Sequence, residues 1–396
     1  MQIATDFEGG RIELKASGST LSQKSGVVVL SIPADGAAPK FRQWFAFEAR
    51  GEPGQRQDFV IENAGECTWG DGFGGLYKVY ASYDDEAWFR IETSFDKKRL
   101  VFGHTPTSPR IRYAYSPPFT SSRLARLLVE VRALGGPAVT ADGSRPSRPE
   151  GPPRVVCAPL ATTARGAQLH HIEIGTDAKD AKELWVIAQQ HPGEPMAGWF
   201  VDGLVERIAT YDARTRELLT KARIHIVPRM NPDGCALGNH RTNEAGLDLN
   251  REWATDDTKA IEVKSVRDAM KKSGAHLFLD VHGDERLPYV FAQPADRYTG
   301  RPARYAELES AFDEAMKRHD SNYQSDHKYP SIQKDKPNRA IASSWAQSEL
   351  SCAAFTLEMP FSDNQNAQKE EGWSPERSKH LGSSLIDALN DLVERL

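Results

Sequence analysis

Over roughly the first 115 residues, apolar and polar positions alternate in short runs: SGVVVLSI, FRQWFAFEA, QDFVIEN, LYKVYASY, AWFRIET, RLVFGH and RIRYAYS. Gly, Pro, Asp and Asn interrupt them about every 8–12 residues with no long helical period between, the pattern of an all-β sandwich or barrel. The period changes at YSPPFTSSRLARLLVEVRAL, where Leu124, Leu127, Leu128 and Val131 recur at helical spacing behind a Pro-Pro break. A boundary is expected near residue 118, with a β-sandwich domain over 1–118 and a second domain over 119–396. The Pro-, Gly- and Ser-rich stretch from Gly135 to Arg154 reads as a linker or a surface loop of the second domain. Beyond it the strand candidates are 155–157, 169–175, 184–190, 223–228, 276–281 and 352–357. Helices are expected near 195–209, 257–273, 301–318 and 375–395, the last with Leu381, Leu385, Leu389 and Leu392 on one stripe. Strands alternating with helices predict an α/β domain with a mixed, largely parallel sheet flanked by helices.

Composition narrows the function classes. At 396 residues, 39% hydrophobic and 27% charged with a net charge of −5, the chain is that of a globular protein of two domains or so. No basic excess argues for nucleic acid, and no apolar run approaches the roughly 18 residues of a membrane span. The opening MQIATDFEGGRIEL carries charge where a secretory apolar region would sit, so no export signal is expected. Cys67, Cys157, Cys235 and Cys352 form no CxxC pair, which fits reduced thiols in a cytoplasm.

The chemistry begins at ELWVIAQQHPGEPMAGWF, residues 183–200. Pro192 pushes His191 toward extended geometry, and Pro195 suits the first turn of a helix, with Glu194 as its N-cap. That helix would bury Met196, Phe200, Leu204 and Ile208. His191 and Glu194 then share the loop at a strand's carboxyl end, the edge where open α/β sheets bind ligands. A catalytic zinc takes three such ligands and leaves one place for water. HLFLDVHGDE offers the third: His282 ends a strand there, whereas His276 lies six residues back, about 20 Å along it. AAFTLEMP ends another strand in Glu358, a base to activate the water. Between them, RMNPDGCALGNHRTNEAGLDLNREW (229–253) reads as a loop holding Asp248, Asn250 and Arg251.

The order HPGE, NPDG–GNHR–DLNR, VHG, FTLE resembles the zinc carboxypeptidases and is most similar to their cytosolic branch, whose members include deglutamylating enzymes. FRQWFAFEA and YSPPFT in the first domain resemble that branch too, so the likeness covers nearly the whole chain. It implies one zinc per chain on His191, Glu194 and His282, with Glu358 as general base and Arg241 stabilising the oxyanion. It implies that Asn250 and Arg251 hold the carboxylate of a peptide or protein C-terminus, and that Asp248 orients His191. In the cytosolic branch a basic residue stands shortly before the base. Arg339 occupies that neighbourhood and would select an acidic C-terminal residue, glutamate before aspartate. The sequence departs from the family where a substrate-capping tyrosine is expected, about a dozen residues before the base. RAIASSWAQSELSCAAFTLE has none, and Tyr329 is the nearest upstream. A zinc-dependent deacylase of the aspartoacylase or succinylglutamate desuccinylase type would share HxxE, the Asn-Arg pair and the third histidine, but resembles only the catalytic half. A binding module that has lost activity would not be expected to keep all five of His191, Glu194, His282, Arg241 and Glu358. No nucleic-acid or membrane partner is expected.

Overall fold

The computed structural model of the protein describes residues 1–15, 26–135, 153–330, 334–366 and 372–396. In the N-terminal region, β-branched and aromatic runs form two five-stranded sheets. Gln2–Ala4, Ala46–Arg50, Arg110–Ala114, Tyr80–Ser82 and Phe89–Arg90 make one; Glu13–Leu14, Val28–Ser31, Gln57–Ile61, Leu100–His104 and Thr93–Phe95 make the other. Phe47 and Tyr113 of the first sheet meet Phe59 and Phe102 of the second with ring centroids 5.1–6.4 Å apart, so the inward-facing aromatics form the sandwich core.

Helix Ser121–Leu134 follows, capped by the Thr120 hydroxyl, which accepts from the Arg123 N–H at 3.3 Å. The stretch expected as a linker or loop falls, apart from its ends, at 136–152, outside the described residues. The sheet of the second domain has seven strands in the order Arg154–Thr162, Gln168–Gly175, Ala222–Val227, Lys182–Ala188, Leu277–Asp284, Ala353–Pro360, Phe291–Pro294. Its four central members run parallel, while the two strands on one side and Phe291–Pro294 on the other pair antiparallel. This mixed sheet is buried because helices cover it. Met196–Thr210 lies against Pro375–Leu392, and a Cβ at Gly203 or Gly382 would overlap the other helix's backbone.

Three short helices, Ala213–Lys221, Pro232–Leu237 and Ala342–Leu350, and the edge strand Phe291–Pro294 were not expected from periodicity. Strand Lys182–Ala188 stops two residues earlier than expected, because Gln189 turns into the left-handed region at φ 53°. The two domains interlock rather than abut. Arg229, buried in the second, donates to Glu8 Oε1 of the first at 3.1 Å and, at the junction, to Ser121 Oγ at 3.0 Å and to the Phe119 carbonyl. Arg11 of the first donates to the Leu237 carbonyl at 3.1 Å.

Helix Ile261–Ser273 buries one carboxyl, Glu262, at 1% exposure. Burial first, then the nearby Glu244, push its pKa up to about 7. A raised acid favours the folded state only while protonated. Its contribution is full below the ordinary carboxylate value and is lost as pH rises through about 7. Glu262→Gln, which cannot ionise, should therefore gain stability over the native protein at pH 8 but not at pH 5, by up to about 3 kcal/mol in denaturant titrations. An equal difference at both pH values would contradict the assignment.

Candidate active site

The left-handed Gln189 swings the chain off its strand, and the HPGE loop that follows is wholly buried. Glu194 sits one residue further from the helix than an N-cap would. Pro195 already has helical φ/ψ (−66°, −18°), and the helix proper begins at Met196. Met196, Phe200, Leu204 and Ile208 are all buried, as the spacing predicts.

On the neighbouring parallel strand, His282 is level with Glu358 of the next. His191, Glu194 and His282 converge, each 2% exposed. Glu194 Oε1 lies 2.7 Å from His191 Nδ1, and its Oε2 lies 2.7 Å from His282 Nδ1. The two Nδ1 atoms are themselves 3.1 Å apart, and the donor atoms all lie within 4.8 Å of one another. Two ring nitrogens facing each other out of water have at most one proton to share, whereas a cation between them would satisfy both. A tetrahedral zinc with bonds of about 2.0–2.2 Å spaces its ligand atoms near 3.4 Å, and its preference for His and carboxylate matches this donor set. The residues present fit a metal.

Each histidine is held by a carboxylate on its other nitrogen: Asp248 Oδ1 is 3.2 Å from His191 Nε2, and Asp280 Oδ2 is 2.8 Å from His282 Nε2. Such partners fix ring orientation and tautomer. Sequence reasoning missed Asp280, although its signal was available two residues before His282 on the same strand face. Gln190 Nε2 donates to Asp280 at 2.7 Å and its Oε1 accepts from Trp253, so the second glutamine of AQQH braces the carboxylate that holds His282. His276 accepts from the Glu183 N–H at the far end of the strand and takes no part.

Glu358, 6% exposed, has Oε1 3.2 Å from the Tyr329 hydroxyl, while its Oε2 is buried without a hydrogen-bond partner. Burial raises its pKa, reinforced by Glu194, Asp284 and Glu285 and opposed by His282. Tyr329, the nearest upstream tyrosine, also reaches Asp284 and so stands beside Glu358. Trp345, nearest in sequence, is instead buried against Trp253.

Arg241 lies across the mouth. Its Nε donates to Asp248 Oδ2 at 2.9 Å, its Nη1 is 4.0 Å from Glu194, and its guanidinium stacks over Trp69 at 5.3 Å. Asn250 is fixed by the Ala342 N–H, which donates to its Oδ1 at 2.9 Å, and Arg251 reaches back to the Asn250 carbonyl. Arg241, Asn250 and Arg251 line one cleft of about 960 Å³ together with His191, Glu194, His282 and Glu358. Arg339 does not line it. The arginine stands half exposed and is paired with Glu349. A charged loop in solvent offers it a nearer partner than the cleft does.

Residues 149–379 match the zinc carboxypeptidase family. The chain belongs to it. Residues 3–116 match the cytosolic carboxypeptidase N-terminal domain. A metallo-carboxypeptidase from Burkholderia cenocepacia is similar over 100% of this chain and 99% of its own, at 36% identity and a TM-score of 0.88. A Pseudomonas aeruginosa metallo-carboxypeptidase, in complex with (2-guanidinoethylmercapto)succinic acid, is similar over 100% and 99% at 35% identity and a TM-score of 0.87. Cytosolic carboxypeptidase 6 of Caenorhabditis elegans is 25% identical over 66% of this chain, which spans 59% of that relative's length. The two solved structures match over the whole chain, N-terminal domain included, so the peptidase reading stands over the deacylase. Among the described residues no helix is long and apolar enough to cross a membrane.

Metal analysis checks the donor set. The native protein should hold one zinc per chain, and His282→Ala should fall well below that while melting cooperatively. Full zinc in the variant would remove His282 from the site.

Proposed function

We propose that this zinc carboxypeptidase removes C-terminal residues from peptides or proteins in the cytoplasm, without a covalent intermediate. The observation that carries the reading is the buried meeting of His191, Glu194 and His282 beside the unpartnered Oε2 of Glu358. The three residues would hold one zinc ion, which when bound acts as a Lewis acid and makes a water nucleophilic near neutral pH.

This chain's own residues do the rest. Glu358 takes a proton from the attacking water at Oε2 and returns it to the leaving amine. A carboxyl whose pKa burial has raised suits both directions. Arg241 sets a fixed positive charge beside the oxygen that becomes negative. Asn250 and Arg251 take the terminal carboxylate; Arg251 is exposed to the cleft and offers a planar fork that meets a carboxylate bidentately. Tyr329, hydrogen-bonded at the rim, closes over the substrate's end.

An acidic preference is left without the residue assigned to it, because Arg339 stands outside the cleft. Lys328 and Lys334 line the outer cleft but pair with Asp313 and Asp296. The Ser343 and Thr356 hydroxyls, 3.1 Å apart, also line the cleft.

Two variants test the reading. Glu358→Gln should keep zinc and fold but lower kcat about 10²- to 10⁴-fold, measured as amino acid released from synthetic peptides. Turnover near the native value would remove Glu358 from the mechanism. Arg339→Ala should leave the ranking of peptides ending in Glu, Lys and Phe unchanged. A selective loss of Glu release would return Arg339 to the specificity pocket.

A further inference from the structure

Arg241 is carried by a loop that has little regular structure of its own, yet its backbone is fixed. Three consecutive N–H groups of this loop converge on one carboxylate from the other domain. His240 donates to Asp35 Oδ1 at 2.7 Å, and Arg241 and Thr242 donate to Oδ2 at 2.8 and 2.9 Å. The Thr242 hydroxyl adds a fourth bond at 3.2 Å. Asp35 is 2% exposed, so these bonds form out of water, where a charge-assisted bond is worth more than a neutral one and an unmade one costs more.

Asp35 is itself held in a tight turn, donating its N–H to the Phe41 carbonyl at 2.8 Å and accepting from the Ala38 N–H at 3.0 Å. Phe41 stacks parallel to Trp69, and Trp69 is the ring beneath the Arg241 guanidinium. One small unit of the N-terminal domain therefore grips Arg241 twice, by its main chain and by the face of its side chain. The third hold, Asp248 on Nε, comes from the catalytic domain.

We propose that Asp35 is a positioning residue for the oxyanion-stabilising arginine, so that the N-terminal domain completes the active site rather than merely covering it. The inference rests on the role of Arg241 given above. Asp35 touches no substrate. Its carboxylate sets where the Arg241 Cα stands, and a misplacement of about 1 Å in a catalytic group can cost on the order of 10²-fold in rate.

The test is a double-mutant cycle on the full chain, with kcat and KM on the best-cleaved peptide of the panel, zinc content and a thermal melt for each variant. Arg241→Ala alone should lower kcat about 10²- to 10³-fold; an unchanged kcat there would sink the reading of Arg241 itself. In the native background Asp35→Asn, which turns one acceptor into a donor facing an N–H, should lower kcat about 10-fold with KM nearly unchanged. Asp35→Ala should cost more, and where it fails to fold Asp35→Asn decides. Added to Arg241→Ala, Asp35→Asn should cost less than about 2-fold, since the group it positions is gone. Zinc should stay at one per chain throughout. The same loss in both backgrounds, an unchanged kcat in Asp35→Asn, or loss of zinc in that variant would each overturn the proposal. The last would route the effect through the Gly193 N–H, which donates to the His240 carbonyl.

Discussion

Parallel pairing in register between Leu277–Asp284 and Ala353–Pro360 sets His282 level with Glu358, and the rest of the cleft is arranged around that pair. Side chains in a strand alternate faces, so a slip of one residue would send one of the two to the opposite side of the sheet. The register is held by what lies below: Leu277, Leu279, Val281, Phe355 and Leu357 are buried under helices and cannot shift without exposing an apolar face. The chemistry at the top of the sheet thus inherits its precision from packing at the bottom. His191 and Glu194 reach the same point from Lys182–Ala188, the neighbouring strand, only because Gln189 breaks out of extended geometry before the loop begins.

Bringing these groups together concentrates acid. Glu194, Asp280, Glu285 and Glu358 are buried around the meeting point of His191 and His282, with Asp248 and Asp284 partly buried beside them. Burial works against ionising Glu194, yet His191 and His282 more than offset it and hold its pKa well below the ordinary carboxylate range. Arg241 and Asp248 share a similar exchange. Glu358 faces His282 too, but burial and three other acids prevail and raise it. Two carboxylates in one cavity are thus driven in opposite directions: one fixed as an anion suited to a cation, the other poised to carry a proton.

Much of this was legible because it is local. A strand followed by HPGE, VHG or LEMP announces a strand end bearing a ligand-competent group, and alternation with helices supplies the common edge. Asp248, Asn250 and Arg251 were legible as a cluster because a 3-10 turn keeps them adjacent. What failed to show depends on long loops or on the other domain. Tyr329 comes from 29 residues before Glu358, through a loop with no period to count along. Arg339 resembles a specificity residue by position alone, and its pairing with Glu349 depends on a helix that the sequence pattern does not announce. The short helices Ala213–Lys221 and Ala342–Leu350 offer about two turns each, too few for a stripe to stand out. Asp35 and Trp69 sit among turn residues of a β domain, and nothing in their neighbourhood marks them as anything but surface.

That division explains why the N-terminal domain reads as inert in sequence. A ligand set must repeat residue types at strand ends, whereas a clamp needs only one acceptor where backbone N–H groups point the same way. Peptide N–H groups exist at every residue but proline, so the receiving loop needs no particular side chains and leaves no motif. The HPGE loop is tied into the same knot, since the Gly193 N–H donates to the carbonyl of His240, whose own N–H goes to Asp35. A Cβ at Gly193 would overlap the His240 ring, and one at Gly246 would press on Ala37, so both loops are built for close approach to what they meet. Metal-competent loop, arginine loop and sandwich turn form one continuous hydrogen-bonded path. Separating the two domains would therefore expose polar backbone at the centre of the catalytic apparatus, not merely an apolar seam at its edge.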